Sequence, residues 1–207
     1  MLITLEGIEG SGKSTLIASL ALHLRAAGTD VLVTHEPGGT PLGDALRNIF
    51  LHADLRIEPI AEAFLVNAAR AEHVAEKIVP ALRAGSVVLC DRFFDSTVAY
   101  QGYGRGLDIE MLLRLSLAAT QSVAPDLTLL VDIPPEVSRE RLAARGAGDR
   151  DRVERAGDGF HERVRAGYLE LAERFSRIVV LDGLQSPGAL LAQAIDVIAH
   201  RRHTEPL

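Results

Sequence analysis

The most constraining feature of this chain is a short run near its start, Gly7-Ile8-Glu9-Gly10-Ser11-Gly12-Lys13-Ser14. It fits the spacing G-x-x-x-x-G-K-[ST] at every fixed position. Glycines let the backbone curl so that its N–H groups point inward at an anion. A helix that opens directly after the loop adds the positive end of its dipole. In such a loop Lys13 reaches the β- and γ-phosphates of a nucleotide, and the Ser14 hydroxyl ligates Mg²⁺. The set expected around ATP is therefore Gly7, Glu9, Gly10, Ser11, Gly12, Lys13, Ser14 and Thr15. The bland alternative is a Gly-rich turn between strand and helix with no ligand.

The surroundings of the loop predict the fold. Five apolar runs read as buried parallel strands: Leu2 to Leu5, Val31 to His35, Ser86 to Asp91, Leu127 to Asp132 and Arg177 to Asp182. Each is rich in Val, Ile or Leu without strict alternation, as strands covered on both faces are. Helical stretches lie between them. One runs from the Gly-rich loop to about Ala27, where Gly28 ends it. Another starts near Pro59 and continues past Arg70 towards Gly85, with a kink predicted at Pro80. Pro134 and Pro135 mark a helix start after the fourth strand. The expected architecture is α/β: a three-layer fold of the P-loop NTPase type, with a five-stranded parallel sheet, helices on both faces and a short lid. In such a fold ligands bind beyond the carboxyl ends of the strands.

The 207 residues suit one domain carrying an insert. The insert is placed around residues 139–160, where Arg, Asp, Glu and Gly crowd together as a solvated helix pair or a mobile flap. The net charge of −6 argues against broad binding to nucleic acid or to an anionic membrane. No apolar run reaches the roughly 20 residues that a membrane span needs. Met1 to Leu5 lacks a basic leader, and Glu6 and Glu9 interrupt it, so a cytoplasmic protein is expected. The single cysteine, Cys90, reads as a buried strand residue. The histidines show no metal-ligand spacing, and no serine lies in a nucleophile elbow.

Three further stretches bear on a second substrate. They are Glu36-Pro37-Gly38-Gly39-Thr40 with Arg47, then Asn67-Ala68-Ala69-Arg70, then Asp91-Arg92-Phe93 continuing to Ser96-Thr97-Val98-Ala99-Tyr100-Gln101-Gly102. With the phosphate loop, with Pro125-Asp126-Leu127-Thr128-Leu129 and with Tyr168-Leu169-Glu170-Leu171, the chain resembles the bacterial thymidylate kinases over nearly its whole length. A guanine-reading Asn-Lys-x-Asp motif is missing from the sequence.

The resemblance implies transfer of a phosphoryl group from ATP to dTMP, with Mg²⁺, in a homodimer. It implies that Arg92 and Arg47 grip the acceptor phosphate, as guanidinium forks that pair two oxygens at once do well. Glu36 and Pro37 would border that site. Arg70 would donate to a thymine carbonyl, and Thr97 and Gln101 would bond the pyrimidine edge. Tyr100 would crowd the sugar 2′ position, Glu9 would lie near the 3′-hydroxyl, and Asp91 would orient Mg²⁺ directly or through water. Arg141 would stack on adenine.

Two positions depart from the simplest family pattern. An aromatic residue usually stands four places before the Arg of the long helix and stacks on the base; here that place is Val66. Phe64, two positions away, points about 200° around a helix and is no replacement, which leaves Phe93 or Phe94. The loop also carries Gly10-Ser11 where one group of thymidylate kinases has a basic residue. The other group uses lid arginines, and Arg139, Arg141, Arg145, Arg150, Arg152 and Arg155 fit that pattern. Asp151-Arg152-Val153-Glu154 resembles the lid motif and favours Arg152 as the catalytic donor, with Arg150 as its rival. Two other readings stay open: a P-loop kinase for a different nucleoside or nucleotide, and a nucleotide-dependent regulatory protein that hydrolyses ATP slowly.

Overall fold

The computed structural model describes residues 1–52, 55–144, 152–153 and 156–204. Among the described residues, five strands form one parallel sheet in the order β2-β3-β1-β4-β5. They are Leu2–Glu6 (β1), Val31–His35 (β2), Val87–Asp91 (β3), Leu127–Asp132 (β4) and Ile178–Asp182 (β5). The expected fold class holds, and each strand lies within about a residue of its expected place. β1 is central, and every residue in it is buried. Its alternate side chains feed different cores, as the two-residue period of a strand requires. Ile3 and Leu5 pack with Leu16 and Leu20 of Lys13–Ala26 (α1) and with Ala194 of Pro187–Thr204 (α9). Leu2 packs on the other side with Val88, Cys90 and Phe93.

The chain order explains where a site must form. After β1 the chain moves to β2 and β3 on one side, then crosses to β4 and β5 on the other. A crevice opens beyond the carboxyl ends of the strands at such a reversal. The pairs Leu5↔Asp91 and Glu6↔Leu130 bring the ends of β1, β3 and β4 to that edge. The remaining helices that border it are Pro41–His52 (α2), Pro59–His73 (α3) and Pro135–Ala144 (α7).

Local chemistry sets the helix limits. α1 gives way to Gly28 in the left-handed region, φ 80°, and Thr29 N–H returns to the Leu24 carbonyl. The long helix after Pro59 does not stop at Pro80. It changes register in a π-helical segment, Val74–Ile78, and resumes as Val79–Arg83 (α4). Pro80 has no N–H for the carbonyl four residues back and crowds it, so the widened turn ahead of it is the form its disturbance takes. A short turn, Phe94–Thr97 (α5), runs into a second π-helical segment, Val98–Gly104. Asp108 then caps Ile109–Ala119 (α6) by accepting from Met111 N–H at 2.6 Å. Asp158–Arg174 (α8) lies directly on that second π segment. A Cβ on Gly167 would stand 2.4 Å from the Tyr103 ring, so only glycine permits the approach.

The start of α5 is anchored through charge. Asp95 is fully buried and receives two bonds from the Arg177 guanidinium, at 2.6 and 2.7 Å; Arg177 also donates to Thr128 Oγ1. Removing one partner of a buried pair strands the other charge. Arg177→Ala is therefore expected to cost about 3–5 kcal/mol of unfolding free energy in urea titrations. A loss under about 1 kcal/mol would mean that Asp95 finds another partner or becomes neutral at little cost.

Candidate active site

The loop after β1 wraps the amino end of α1. Gly7, Gly10 and Gly12 all have positive φ, and a Cβ at Gly7 would lie 2.4 Å from the Val131 carbonyl oxygen. This close approach fixes Gly7 against β4 and aims the loop across the strand ends. Lys13 is buried, and its ammonium donates to the Gly7 and Ile8 carbonyls at 2.8 and 3.0 Å. Ser14 Oγ donates to Asp91 Oδ2 at 3.2 Å. That pair offers two hard oxygen sites at the cleft. They suit Mg²⁺, which takes one or two protein oxygens beside substrate phosphates and keeps several waters.

A cleft of about 410 Å³ runs from the loop towards α2 and α3. Its phosphate-loop end is lined by Glu9, Gly10, Lys13, Ser14, Asp91 and Arg92. Its far end is lined by Glu36, Pro37, Arg47, Val66, Arg70, Thr97, Tyr100 and Gln101. A second hollow of about 300 Å³ lies on the other side of the loop, bounded by Gly10, Ser11, Gly12, Thr15 and Arg141 together with Gly183 and Pro187. Arg141 spans it by donating to the Gly10 and Gly183 carbonyls, at 3.2 and 2.9 Å. Gly7 forms the floor of the loop.

Charges alternate along the cleft. Arg92, at the end of β3, donates to Glu9 Oε1 at 2.9 Å, and the Tyr100 hydroxyl donates to the same oxygen at 2.7 Å. Glu9 Oε2 is buried without a hydrogen bond, 3.6 Å from His161 Nδ1. Burial works against ionised Glu9, but the charges of Arg92 and Lys13 hold its carboxyl below the ordinary value. Arg70 is buried: Nε binds Glu36 Oε2 at 2.7 Å, Nη1 binds Asn67 Oδ1 at 2.9 Å, and Nη2 binds the Phe93 carbonyl at 3.2 Å. Glu36 also meets His73 Nδ1 at 3.0 Å, and the other ring nitrogen meets Thr34 Oγ1 at 2.6 Å. Arg47 donates to the Pro37 carbonyl at 2.8 Å.

A family model described as thymidylate kinase matches residues 5–194. The chain belongs to the thymidylate kinase family. It is 50% identical over 202 residues to the thymidylate kinase of Citrifermentans bemidjiense, covering 93% of this chain and 90% of that one. It is 45% identical to the thymidylate kinase of Deinococcus radiodurans, with 98% of each chain covered. The crystal structure of thymidylate kinase from Ehrlichia chaffeensis superposes with a TM-score of 0.80 at 31% identity, over 96% of this chain and 98% of that chain. No helix among the described residues is long and apolar enough to cross a membrane.

Within this thymidylate kinase fold the residues expected at the acceptor site share one cleft, while Arg152 takes a position behind its wall. Its guanidinium bonds Glu62 of α3 and the Phe50 carbonyl of α2, and lies over the Phe50 ring. Arg145, Arg150 and Arg155 fall outside the described residues. Phe64 is largely exposed, as its place on α3 requires. The apolar wall beside Val66 comes instead from Phe50 and Leu51, which sequence reading missed. Phe93 also lines the cleft, whereas Phe94 packs beneath Arg177.

Other site residues were missed as well. Glu62 receives Gln101 Nε2 at 3.1 Å and meets Arg105. Glu6, the last residue of β1, is fully buried behind Arg92. Its signal was present, since a carboxylate closing an otherwise apolar strand demands partners.

Burial pushes the Glu6 carboxyl up from 4.5 to about 7, and the nearby Asp95 carboxylate adds to the rise. The folded protein thus holds a proton that the unfolded chain releases. This contribution is complete below about pH 4.5 and is lost as pH rises through about 7. Relative to Glu6→Gln, the parent protein is expected to lose on the order of 3 kcal/mol of unfolding free energy between pH 5 and pH 8. Urea titrations of both proteins at these two pH values measure this. Parallel pH dependences would show that Glu6 does not titrate in that window.

Proposed function

We propose that this chain transfers the γ-phosphoryl group of ATP to dTMP, giving ADP and dTDP. The observation that carries the reading is the shared cleft: Lys13 and Ser14 of the phosphate loop face Arg92, Arg70, Thr97 and Gln101 across a space that takes a nucleoside monophosphate. The triphosphate sits on the loop, with the adenine towards Arg141. The acceptor phosphate meets Arg92 and Arg47. Arg70 gives one N–H each to Glu36, Asn67 and the Phe93 carbonyl, and a guanidinium carries five, so others remain for a base carbonyl. Glu9 Oε2 is an acceptor without a donor, which suits a sugar hydroxyl.

Little covalent help is needed, because the acceptor phosphate is already mostly a dianion near neutral pH. The protein's task is to bring two polyanions together and to stabilise the charge that spreads over the transferred group. Lys13 and Arg92 supply positive charge from opposite sides of that group. Ser14 and Asp91 would hold Mg²⁺, which would neutralise part of the phosphate charge. The insert at 139–160 serves as a lid whose closure limits wasteful hydrolysis, and Arg152 joins the phosphates when it leaves Glu62. On the family resemblance we read the active form as a cytoplasmic homodimer.

A panel assay tests the acceptor: ADP release with ATP, Mg²⁺ and each nucleoside monophosphate in turn. Fast release with dTMP alone is expected. Release with another acceptor, or without any, would replace this reading. Arg92→Ala is expected to lower kcat/KM for dTMP by about 10²–10³-fold, the effect of truncating one partner of a close charge pair. Near-normal steady-state kinetics would remove Arg92 from the acceptor site.

A further inference from the structure

Behind Arg92 lies a polar array that the reaction as described does not use. Arg92 sits in the left-handed region at φ 68°, where a residue with a Cβ is strained. The backbone that follows is clamped to Glu6: Oε1 accepts from Phe93 N–H at 2.7 Å and from Ser96 N–H at 3.3 Å. Glu6 Oε2 accepts from Ser96 Oγ at 2.6 Å and from the Tyr168 hydroxyl at 2.8 Å. Arg92 Nη1 in turn reaches both of those oxygens, each at 3.2 Å.

Donor and acceptor inventory fixes the direction of these bonds. Above pH 7 Glu6 is mostly ionised, and its carboxylate then only accepts, so the Ser96 and Tyr168 hydroxyls, themselves 2.8 Å apart, donate to it. Each hydroxyl oxygen then turns lone pairs to Arg92, whose guanidinium only donates. We propose that Glu6 is a positioning residue for Arg92: through the Ser96 and Tyr168 hydroxyls and the clamped backbone it holds the guanidinium in the pose that receives the acceptor phosphate. The proposal rests on Arg92 gripping that phosphate. An amide at Glu6 keeps the shape but presents a donor in place of Oε2. The hydroxyls then accept from the amide and turn a proton towards Arg92.

The test is steady-state kinetics at pH 8, where Glu6 is mostly ionised, of Glu6→Gln and Tyr168→Phe, each alone and in an Arg92→Ala background. Tyr168→Phe keeps the ring that packs edge-on against Tyr100, so the fold is retained. Each single variant is expected to raise KM for dTMP about tenfold, the effect of losing a hydrogen bond to a charged group, with KM for ATP within twofold of the parent. In the Arg92→Ala background neither is expected to change KM for dTMP by as much as twofold. A merely structural role predicts otherwise: both substrates affected alike, and the same factor with or without Arg92. Either result overturns the proposal, as does a normal KM for dTMP in both single variants. Arg92→Ala by itself separates the two claims. If it alone is silent, the acceptor reading fails and takes the positioning role with it; if it is damaging while both partners are silent, only the positioning role fails.

Discussion

Everything at the cleft hangs from the parallel pairing of β1 with β3. The register Leu5↔Asp91 places the ends of the two strands at one edge, and Arg92 N–H continues the ladder to the Leu5 carbonyl at 2.9 Å. Two chain segments far apart in sequence are thereby locked side by side. One turns into the phosphate loop and the other delivers Asp91 and Arg92. Because β1 is buried on both faces, a one-residue slip of register would exchange its side chains between two differently packed cores. The hydrophobic core therefore sets the spacing between the Ser14–Asp91 pair and the Arg92–Glu9 pair.

That spacing concentrates charge where water is scarce. Glu6, Glu9, Asp91, Lys13 and Arg92 act on one another across the strand ends, and their environments push them apart. Glu6, deepest and nearest Asp95, is pushed up to about 7, whereas Glu9 between Arg92 and Lys13 is held down. Burial and the Arg92 charge lower Lys13 to about 8. A polyanion entering the loop opposes this pressure on Lys13, because its negative charge favours the ammonium against burial and the Arg92 charge. Among the described residues, the Lys13 ammonium hydrogen-bonds loop oxygens and no carboxylate.

The phosphate half of this site was legible in the sequence, and the reason is physical. Cradling phosphate needs particular backbone angles, and those need glycines at fixed spacing beside Lys13 and Ser14. Such a constraint leaves a linear signature. The strands were legible for a similar reason, since burial on both faces demands continuous apolar runs such as Leu127 to Asp132. The π-helical segments at Val74–Ile78 and Val98–Gly104 were not legible, because widened turns keep the composition of an α-helix. Arg152 was singled out on a resemblance of four residues, which says nothing of its bonds to Glu62 and Phe50. Glu6 stood in plain view as a charge ending an apolar strand, yet its partners Ser96 and Tyr168 lie 90 and 162 residues away.

The base half of the cleft is harder to read because side-chain packing, not backbone geometry, builds it. Val66 alone suggests a weakened wall. The structure sets Phe50 and Leu51 of α2 beside it, and no spacing rule links residue 50 to residue 66. Glu62 carries the same lesson further. It is buried on α3, where helix periodicity assigns it simply to an inward face, yet it joins Gln101 and Arg105 from the second π segment to Arg152 from the insert. A residue expected at the base and a residue expected in the lid thus share one carboxylate. Gln101 binds Oε2 and Arg152 binds Oε1, so two segments far apart in sequence are tied through one buried carboxylate.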